Sequence, residues 1–428
     1  MSIPHKAGEP AIPPMNPVYD PCCSWKRIQN LDARLVPSAE PPSAQERPEA
    51  TRLVIVGDVH GQLAELKRLL QTIKFDRNHG DHLIFVGDLV NKGPDSPGVV
   101  QLAMDLGASS VRGNNEDRVL AARAAMKRGE GVDVNGKGGT DAAAAKTGNC
   151  NNTSGSAKNE DGIEPPFPRN FKRYSADSDF ATAASLSEAQ ISWLSSLPLI
   201  LCIPHLKGAL APPWDAGKVL IAHAGLVPSV PLKEQDEWAV MNMRGLVYPG
   251  TGPSEDAVYK AVVKGVGSRV RRYIASHDGS DDDIKAEAAR LTAQVNDAHC
   301  FISISRGGAV GHPIESRDGD WWMEAWNRAQ NSIQAPEQRA VVVYGHDAKI
   351  GAQIGPDIEF QRDTAEVASR ERGTRYAFGL DSGCVYGNQL TAMVIERNSD
   401  GQGIAHSIVQ VDYEKETKEE EKPKGITS

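Results

Sequence analysis

Aspartate, asparagine and histidine recur in short glycine-containing blocks along this chain of 428 residues. Each block follows an apolar, β-branched run of the kind that forms a buried strand. In open α/β folds, ligands bind at the edge formed by the carboxyl ends of the strands. The five blocks are GDVHG at 57–61, GDLVNKGPD at 87–95, GNNED at 113–117, HAG at 223–225 and GH at 345–346.

The side chains of these blocks have the composition of a site for two metal ions. A carboxylate can bridge two dications, and imidazole nitrogens suit transition metals better than they suit magnesium. Metal pairs of this kind catalyse in-line displacement at phosphorus. A single G-D-x-H-G block could be only a turn with a capping aspartate. However, Asp58, Asp88 and Asn114 recur at intervals of roughly 30 residues, the length of one strand–helix unit, which predicts that neighbouring strand ends bring them together.

The elements that would position these side chains alternate between strands and helices. Strands are predicted at 52–57 and 82–87, and an amphipathic helix follows each, at 62–73 and 96–106. In the second helix we expect Ser96 as the N-cap and Pro97 as the first helical residue. The alternation predicts an α/β fold with a mainly parallel sheet. Further predictions are helices at 116–127, 187–196 and 321–330, and a hairpin of two strands at 375–396.

One domain, residues 51–410, contains all five blocks. Residues 1–50 are rich in proline, and we expect them to form a disordered N-terminal arm. Low complexity at about 129–165 predicts a disordered insertion, and two helical patterns at about 254–310 predict a helical insertion. Residues 411–428 would form a charged, solvated tail.

The acidic balance of the chain bears on its partners and its location. The formal net charge is −9 and the pI is about 5.7, and no concentrated Lys/Arg block is present, which argues against duplex nucleic acid as a partner. Six cysteines without a C-x-x-C pair favour a reducing compartment. Because no apolar run reaches about 18 residues and the first residues match no leader pattern, we expect no membrane segment and a cytoplasmic protein.

At these blocks the chain resembles the calcineurin-like metallophosphoesterase superfamily, and within it the phosphoprotein-phosphatase branch. The phrases HAGLVPSVPLKEQDEWAVMNMR, VVVYGHDAKIG and GLDSGCVYGNQLTA are most similar to fungal zinc-dependent endopolyphosphatases and to ApaH-type diadenosine-tetraphosphate hydrolases. The resemblance covers about residues 52–125, 186–250 and 320–396. The resemblance implies a two-sheet α/β sandwich flanked by helices, with the insertions outside it. The similarity to the fungal group also implies a vacuolar location as an alternative to the cytoplasm.

The resemblance also implies a role for each block. Two divalent cations, from among Zn, Mn, Co and Fe, would activate a bridging water as the nucleophile. Lys92 stands where the protein phosphatases carry arginine and would contact a substrate phosphate. Arg244 in MNMR is a second candidate clamp, and an ordinary surface charge is the alternative for both. The implied metal ligands are Asp58 and His60 for one ion, Asp88 as the bridge, and Asn114, His223 and His346 for the second ion.

One block departs from the family pattern. The motif G-N-H-E has a histidine that is thought to protonate the leaving oxygen, and Asn115 stands there in this chain. Asparagine donates hydrogen bonds but does not titrate. A serine alkoxide needs a proton to leave, whereas a phosphate that leaves an anhydride is already a stable anion. We therefore expect hydrolysis of phosphoanhydride bonds, with inorganic polyphosphate as the first substrate. The alternatives are a nucleoside-polyphosphate or cap-like hydrolase, a protein Ser/Thr phosphatase, and a catalytically weak, metal-retaining binding protein.

Overall fold

Two five-stranded sheets form the centre of the fold. The computed structural model describes residues 28–40, 52–127, 176–248, 311–317, 319–362 and 369–414. The strands of the two large sheets are β1 (Ile28–Asn30), β2 (Arg52–Val56), β3 (Asp81–Phe85), β4 (Ser109–Ser110), β5 (Ile200–Pro204), β6 (Lys218–Ala222), β10 (Ala340–Tyr344), β13 (Ala377–Gly379), β14 (Gln389–Arg397) and β15 (Ile404–Asp412). The first sheet has the order β1-β5-β6-β10-β13, and the second has the order β15-β14-β2-β3-β4.

Five further strands form two small sheets beside the large ones. β7 (Gly245–Val247) lies between β8 (His312–Ile314) and β9 (Asp320–Trp321), and β11 (Asp357–Arg362) pairs in antiparallel fashion with β12 (Ser369–Thr374).

The second sheet separates two hydrophobic cores, and strand β2 shows why its sequence is apolar throughout. Leu53 and Ile55 face the first sheet and belong to the core shared by the two sheets. Val54 and Val56 face the opposite way and pack in the core beneath the helices. Successive side chains of a strand point to opposite faces. A strand that is covered on both faces is therefore apolar throughout, without alternation.

Helices cover the outer face of the second sheet, and the structure confirms most of the predicted ones. The predicted helix at 62–73 is α1 (Leu63–Ile73). The next helix begins at Ser96, so the predicted cap is wrong: Asp95 is the N-cap and accepts a hydrogen bond from the Gly98 amide, and the Ser96 hydroxyl accepts from the Asn91 amide instead. The same face is covered by α2 (Ser96–Asp105), α3 (Asn114–Lys127), α4 (Ala176–Ser185) and α5 (Glu188–Ser195). The buried side chains of α6 (Glu237–Asn242) and α7 (Trp322–Ser332) belong instead to the core shared by the two sheets.

The predicted hairpin at 375–396 is wrong, and the sheets are less parallel than expected. β13 pairs with β10 in the first sheet, where Phe378 lies opposite Val343. β14 pairs with β2 in the second sheet, where Met393 lies opposite Ile55. The two strands therefore belong to different sheets. In the second sheet only the β2–β3 and β3–β4 pairings are parallel, because β14 pairs in antiparallel fashion with both β2 and β15.

The described residues also bear on the predicted domain limits. Residues 28–40, which the composition assigned to the N-terminal arm, contain strand β1, paired with β5, and the buried side chains of Leu31 and Val36. Strand β15 continues past residue 410 to Asp412. The insertions predicted at 129–165 and 254–310 lie outside the described residues. Within the described ranges, no helix combines the length and the apolar character that crossing a bilayer requires.

Candidate metal centre

The carboxyl ends of five strands meet at one edge of the sandwich and bring the five blocks together. β2, β3 and β4 are parallel neighbours in the second sheet, and they lead into Asp58, Asp88 and Asn114. β6 and β10 are parallel neighbours in the first sheet, and they lead into His223 and His346. The two groups are joined directly, because the His346 amide donates to Oδ2 of Asp58 over 3.1 Å.

Asp88 lies at the centre of this arrangement. Its Oδ2 is 3.5 Å from Nε2 of His60, and its Oδ1 is 3.4 Å from Nε2 of His223. The side chains of all three residues are buried. Each oxygen of one carboxylate therefore faces a different imidazole, which is the disposition that a ligand shared by two ions requires.

On one side of Asp88, three donors converge. One ligand atom from each of Asp58, His60 and Asp88 lies within 4.8 Å of the others, and all three residues are buried. On the other side, Nε2 of His223 lies 3.1 Å from Oδ1 of Asn114, and the rings of His223 and His346 are 5.0 Å apart.

Hydrogen bonds to backbone carbonyls orient the three imidazole rings. Nδ1 of His60 lies 3.1 Å from the Val90 oxygen, and Nδ1 of His223 lies 2.9 Å from the Val86 oxygen. In both rings Nε2 is then the nitrogen that can bind an ion. In His346 the roles are exchanged, because its Nε2 lies 3.1 Å from the oxygen of Asn242, which leaves Nδ1 as the possible ligand.

The electrostatics of the cluster favour bound cations. Burial raises the pKa of Asp58 well above its usual range, and the nearby carboxylates of Asp381 and Asp88 raise it further. Burial lowers the pKa of His60 to about 4. Burial, with Arg244 and His223 adding to the effect, also holds the pKa of His346 well below its usual range. The imidazoles of His60 and His346 are therefore kept neutral, and together with the crowded carboxylates they suit transition-metal dications, so the residues present fit a metal pair.

The backbone of the site adopts a conformation that few residues take. φ is +47° at His60, +53° at Asp88, +67° at Lys92 and +74° at His346. Left-handed conformations of non-glycine residues cost free energy and concentrate at functional sites. Two glycines allow the close approach that brings the loops together: a Cβ atom on Gly345 would lie 1.9 Å from Oδ1 of Asp58, and one on Gly113 would lie 2.2 Å from Oδ1 of Asp88.

Glu116 holds the loop that contains Asp88, a role that sequence reasoning missed. Its carboxylate accepts hydrogen bonds from the backbone amides of Asp88, Leu89 and Gly113 at 2.7–2.8 Å. Burial raises the pKa of Glu116 to about 7, and the Asp88 carboxylate contributes to the rise. The signal was present in the sequence, since Glu116 is the last residue of the G-N-N-E block.

Asn115 lies against the central carboxylate. Because α3 begins at Asn114, two residues earlier than predicted, both asparagines lie in its first turn. The Asn115 amide group donates from Nδ2 to Oδ2 of Asp88 over 2.6 Å, and its backbone nitrogen donates to Oδ1 over 2.9 Å. Oδ1 of Asn115 accepts a hydrogen bond from Nδ2 of Asn91, a contact that no sequence motif indicated.

The two predicted clamps lie on different sides of the cluster. Lys92 places its Nζ 2.8 Å from Nε2 of His60. Arg244 lies near Asp347, with its Nε 3.9 Å from Oδ2, and Asp347 directly follows His346. Sequence reasoning missed Arg317, whose guanidinium donates two hydrogen bonds to the same carboxylate. Nε of Arg244 is buried and donates no hydrogen bond among the residues that the structure describes.

The sequence matches the calcineurin-like phosphoesterase family over residues 51–349. This range covers well over half of the 428 residues. The chain therefore belongs to the calcineurin-like phosphoesterase family, and its two mixed sheets with flanking helices form the metallophosphoesterase fold.

The chain is also similar to individual proteins and to a solved structure. It is 42% identical over 73 residues to serine/threonine-protein phosphatase 1 of Salmonella typhimurium, covering 17% of this chain and 33% of that protein. It is 42% identical over 83 residues to the symmetrical bis(5'-nucleosyl)-tetraphosphatase of Methylococcus capsulatus, covering 19% and 30%. The matches thus span a third or less of these relatives. The solved structure of a protein provisionally assigned as a diadenosine tetraphosphatase aligns with 90% of this chain and 97% of its own, at 24% identity and a TM-score of 0.45.

Proposed function

We propose that this chain hydrolyses phosphoanhydride bonds with two divalent metal ions. The observation that carries the proposal is the position of Asp88, whose two oxygens face His60 and His223 at 3.5 and 3.4 Å. Membership of the calcineurin-like phosphoesterase family supports it. In this proposal the domain predicted at 51–410, extended by strand β1 and by the end of β15, acts as one catalytic unit. The ligands are Asp58 and His60 for one ion, Asp88 for both, and Asn114, His223 and His346 for the other.

The residues of the site have distinct tasks in this reaction. When bound to these residues, two divalent cations would activate water and would offset the charge that develops on the phosphoryl group. Lys92 reaches the cluster from one side and Arg244 from the other, so both can bind phosphate oxygens and hold the chain of phosphates in line. Asn115 presents a neutral amide donor beside Asp88, and this donor stabilises charge but transfers no proton.

The leaving group decides between the possible substrates. General acid catalysis is typically worth ~10²–10⁴-fold, and a neutral amide at position 115 does not provide it. A phosphate that leaves an anhydride needs little protonation, so its departure is slowed little when the general acid is missing. Inorganic polyphosphate and nucleoside polyphosphates therefore fit the site better than a phosphoserine ester. The similarity to a bis(5'-nucleosyl)-tetraphosphatase supports the same bond type. The nitrogen donors of the site favour Zn, Mn, Co or Fe as the ions.

The sparse cysteines of the chain favour the cytoplasm as its location.

A protein Ser/Thr phosphatase is the second candidate, because one relative in Salmonella typhimurium has that name. One experiment compares the candidates. The purified full chain is stripped of metal, reloaded with Mn, Zn, Co or Mg, and assayed on polyphosphate, diadenosine tetraphosphate and a phosphoserine peptide. We expect release of phosphate or nucleotide from the two anhydrides with transition metals, and slower turnover of the peptide. Full activity in the stripped protein, or turnover of the peptide alone, would contradict the proposal.

A further inference from the structure

Tyr386 presents an exposed aromatic ring beside the candidate metal centre. Its relative exposure is 65%, which is high for a large apolar side chain. Nζ of Lys92 lies 5.5 Å from the centre of this ring and 2.8 Å from Nε2 of His60. A single side chain therefore separates the ring from a candidate metal ligand.

The turn that carries Tyr386 is held in place although the ring is exposed. Residues 384–386 form a short 3₁₀ helix between Gly383 and Gly387, whose φ values are +76° and +88°. The Tyr386 amide donates to the Gly383 oxygen over 2.9 Å. Cys384, at the other end of the turn, is buried in the core beneath the helices. The backbone that carries the ring is thus held in place, and a tyrosine loses little conformational entropy when a ligand covers it.

The chemistry of Lys92 and Tyr386 together indicates what such a surface would bind. An ammonium group attracts a phosphate oxygen as a point charge. An aromatic face stacks on a nucleobase, and this contact tolerates any base because every base has a π face. Inorganic polyphosphate has no aromatic group, so it would gain nothing from the ring.

We propose that Tyr386 is the stacking platform for the base of a nucleoside polyphosphate whose phosphate chain passes Lys92 on its way to the metal centre. The inference rests on the proposed function and deepens it, because it names nucleoside polyphosphates as the substrate class. The phosphoryl group at the Asp88 cluster, the phosphate at Lys92 and the base at Tyr386 would follow one another in that order.

The test compares ligands with and without a base on the full, metal-loaded chain. The variants are Tyr386→Ala, Tyr386→Phe and Tyr386→Trp. Leu210→Ala is the control, because Leu210 is 77% exposed. Leu210 precedes β6, and His223 follows β6, so the two residues lie at opposite ends of that strand. The measurements are the Kd of a methylene-bridged, non-hydrolysable diadenosine tetraphosphate by calorimetry, the KM for inorganic polyphosphate, and the melting temperature.

We expect Tyr386→Ala to weaken binding of the nucleotide analogue by about 5- to 150-fold, the range for one stacked base. Its KM for polyphosphate should stay within about 2-fold of the wild type, because polyphosphate has no base to stack on the ring. The Phe and Trp variants keep an aromatic face and should bind the nucleotide analogue like the wild type. Unchanged nucleotide binding in Tyr386→Ala would overturn the inference. Equal weakening for nucleotide and polyphosphate would also overturn it, as would a loss in Tyr386→Phe, since the hydroxyl would then be the contact. If the wild type cleaves no anhydride, the proposed function fails, whereas the calorimetry still decides the role of Tyr386.

Discussion

The side-chain amide of Asn91 donates one hydrogen bond to Oδ1 of Asn115 over 3.2 Å and another to Oδ1 of Asp179 over 2.8 Å. On its other side, Asn115 donates from Nδ2 to the Asp88 carboxylate. If the Asn115 amide were rotated by half a turn, its oxygen would face the Asp88 carboxylate, and two acceptors would then oppose each other. The orientation is therefore determined from both sides, and the donor at this point of the site is neutral and fixed.

Replacing Asn115 with histidine should supply a proton donor. On a phosphoserine peptide, which has a poor leaving group, we expect kcat to rise by at least ~10-fold. On polyphosphate the gain should be small, because the leaving anion needs little protonation.

Steady-state kinetics of Asn115→His and of the non-titrating control Asn115→Gln on both substrates would check this expectation. Equal gains on the two substrates would mean that Asn115 instead disturbs metal or phosphate binding. A gain in Asn115→Gln would exclude proton donation as the cause.

Asp88→Asn should abolish activity and lower the metal content below two equivalents. The substitution removes a negative charge from the position between the two candidate ions, and the amide nitrogen cannot bind a cation. Elemental analysis of the purified variant gives the stoichiometry, and Asp105→Asn, an exposed carboxylate on α2, is the matched control. Two retained equivalents together with wild-type turnover would remove Asp88 from the site.

Glu116→Gln should weaken metal binding although Glu116 is not itself a proposed ligand. The carboxylate accepts backbone hydrogen bonds with both oxygens, whereas glutamine would turn its NH₂ group toward one set of amides. Loss of such an orienting group typically costs 10- to 100-fold in metal affinity, and we expect a loss of about that size. Competition with a chromogenic chelator measures it, and Glu188→Gln, largely exposed on α5, serves as the control. Wild-type affinity in Glu116→Gln would show that the loop keeps its shape without the carboxylate.

Arg317→Gln should raise KM more than it lowers kcat. Arg317 and Arg244 share Asp347 at the side of the cluster next to His346, where they can bind phosphates that do not react. Hydrogen bonds to charged groups are worth about 1.5–3 kcal/mol, so KM for polyphosphate should rise by at least ~10-fold. Arg372→Gln, an exposed arginine on β12, is the control. A fall in kcat at constant KM would indicate instead that Arg317 acts on the reacting group.

His82 should make the folded state sensitive to acid. Burial, and to a smaller extent the charge of Arg77, lowers the pKa of His82 to about 4 from its ordinary 6.5. Between these values the unfolded chain binds a proton that the folded chain does not, so stability falls as the pH decreases from about 6.5 to about 4. The full difference is on the order of 3 kcal/mol.

Thermal denaturation of the wild type, of His82→Gln and of the control His205→Gln at pH 7 and pH 5 measures this effect. His205→Gln is the matched control because His205 is exposed, and His82→Gln should reduce the pH dependence relative to the wild type. An equal loss of stability in the wild type and in His82→Gln would assign the acid sensitivity to other groups.

The sequence by itself determined the elements and the edge at which chemistry would occur. Strands at 52–57 and 82–87 and the helix at 62–73 were predictable, and the structure confirms them, because an apolar run or an amphipathic period is a local property of the chain. Asp58, Asp88 and Asn114 come after such strands. Because the carboxyl ends of parallel strands lie at one edge of a sheet, the sequence also predicted the edge at which these residues would meet. Their roles as metal ligands stay a prediction.

Only the tertiary structure decided which elements are partners. β13 and β14 are neighbours in sequence but belong to different sheets. An apolar strand can pair with the edge of any strand of matching length, so its own sequence does not specify its partner. The contact of Asn91 with Asp179 joins a loop to helix α4 across 88 positions of sequence. Arg317, which follows β8, likewise meets Asp347, which follows β10, across 30 positions of sequence. Such polar contacts depend on the orientation of whole elements, which hydrophobic periodicity does not encode.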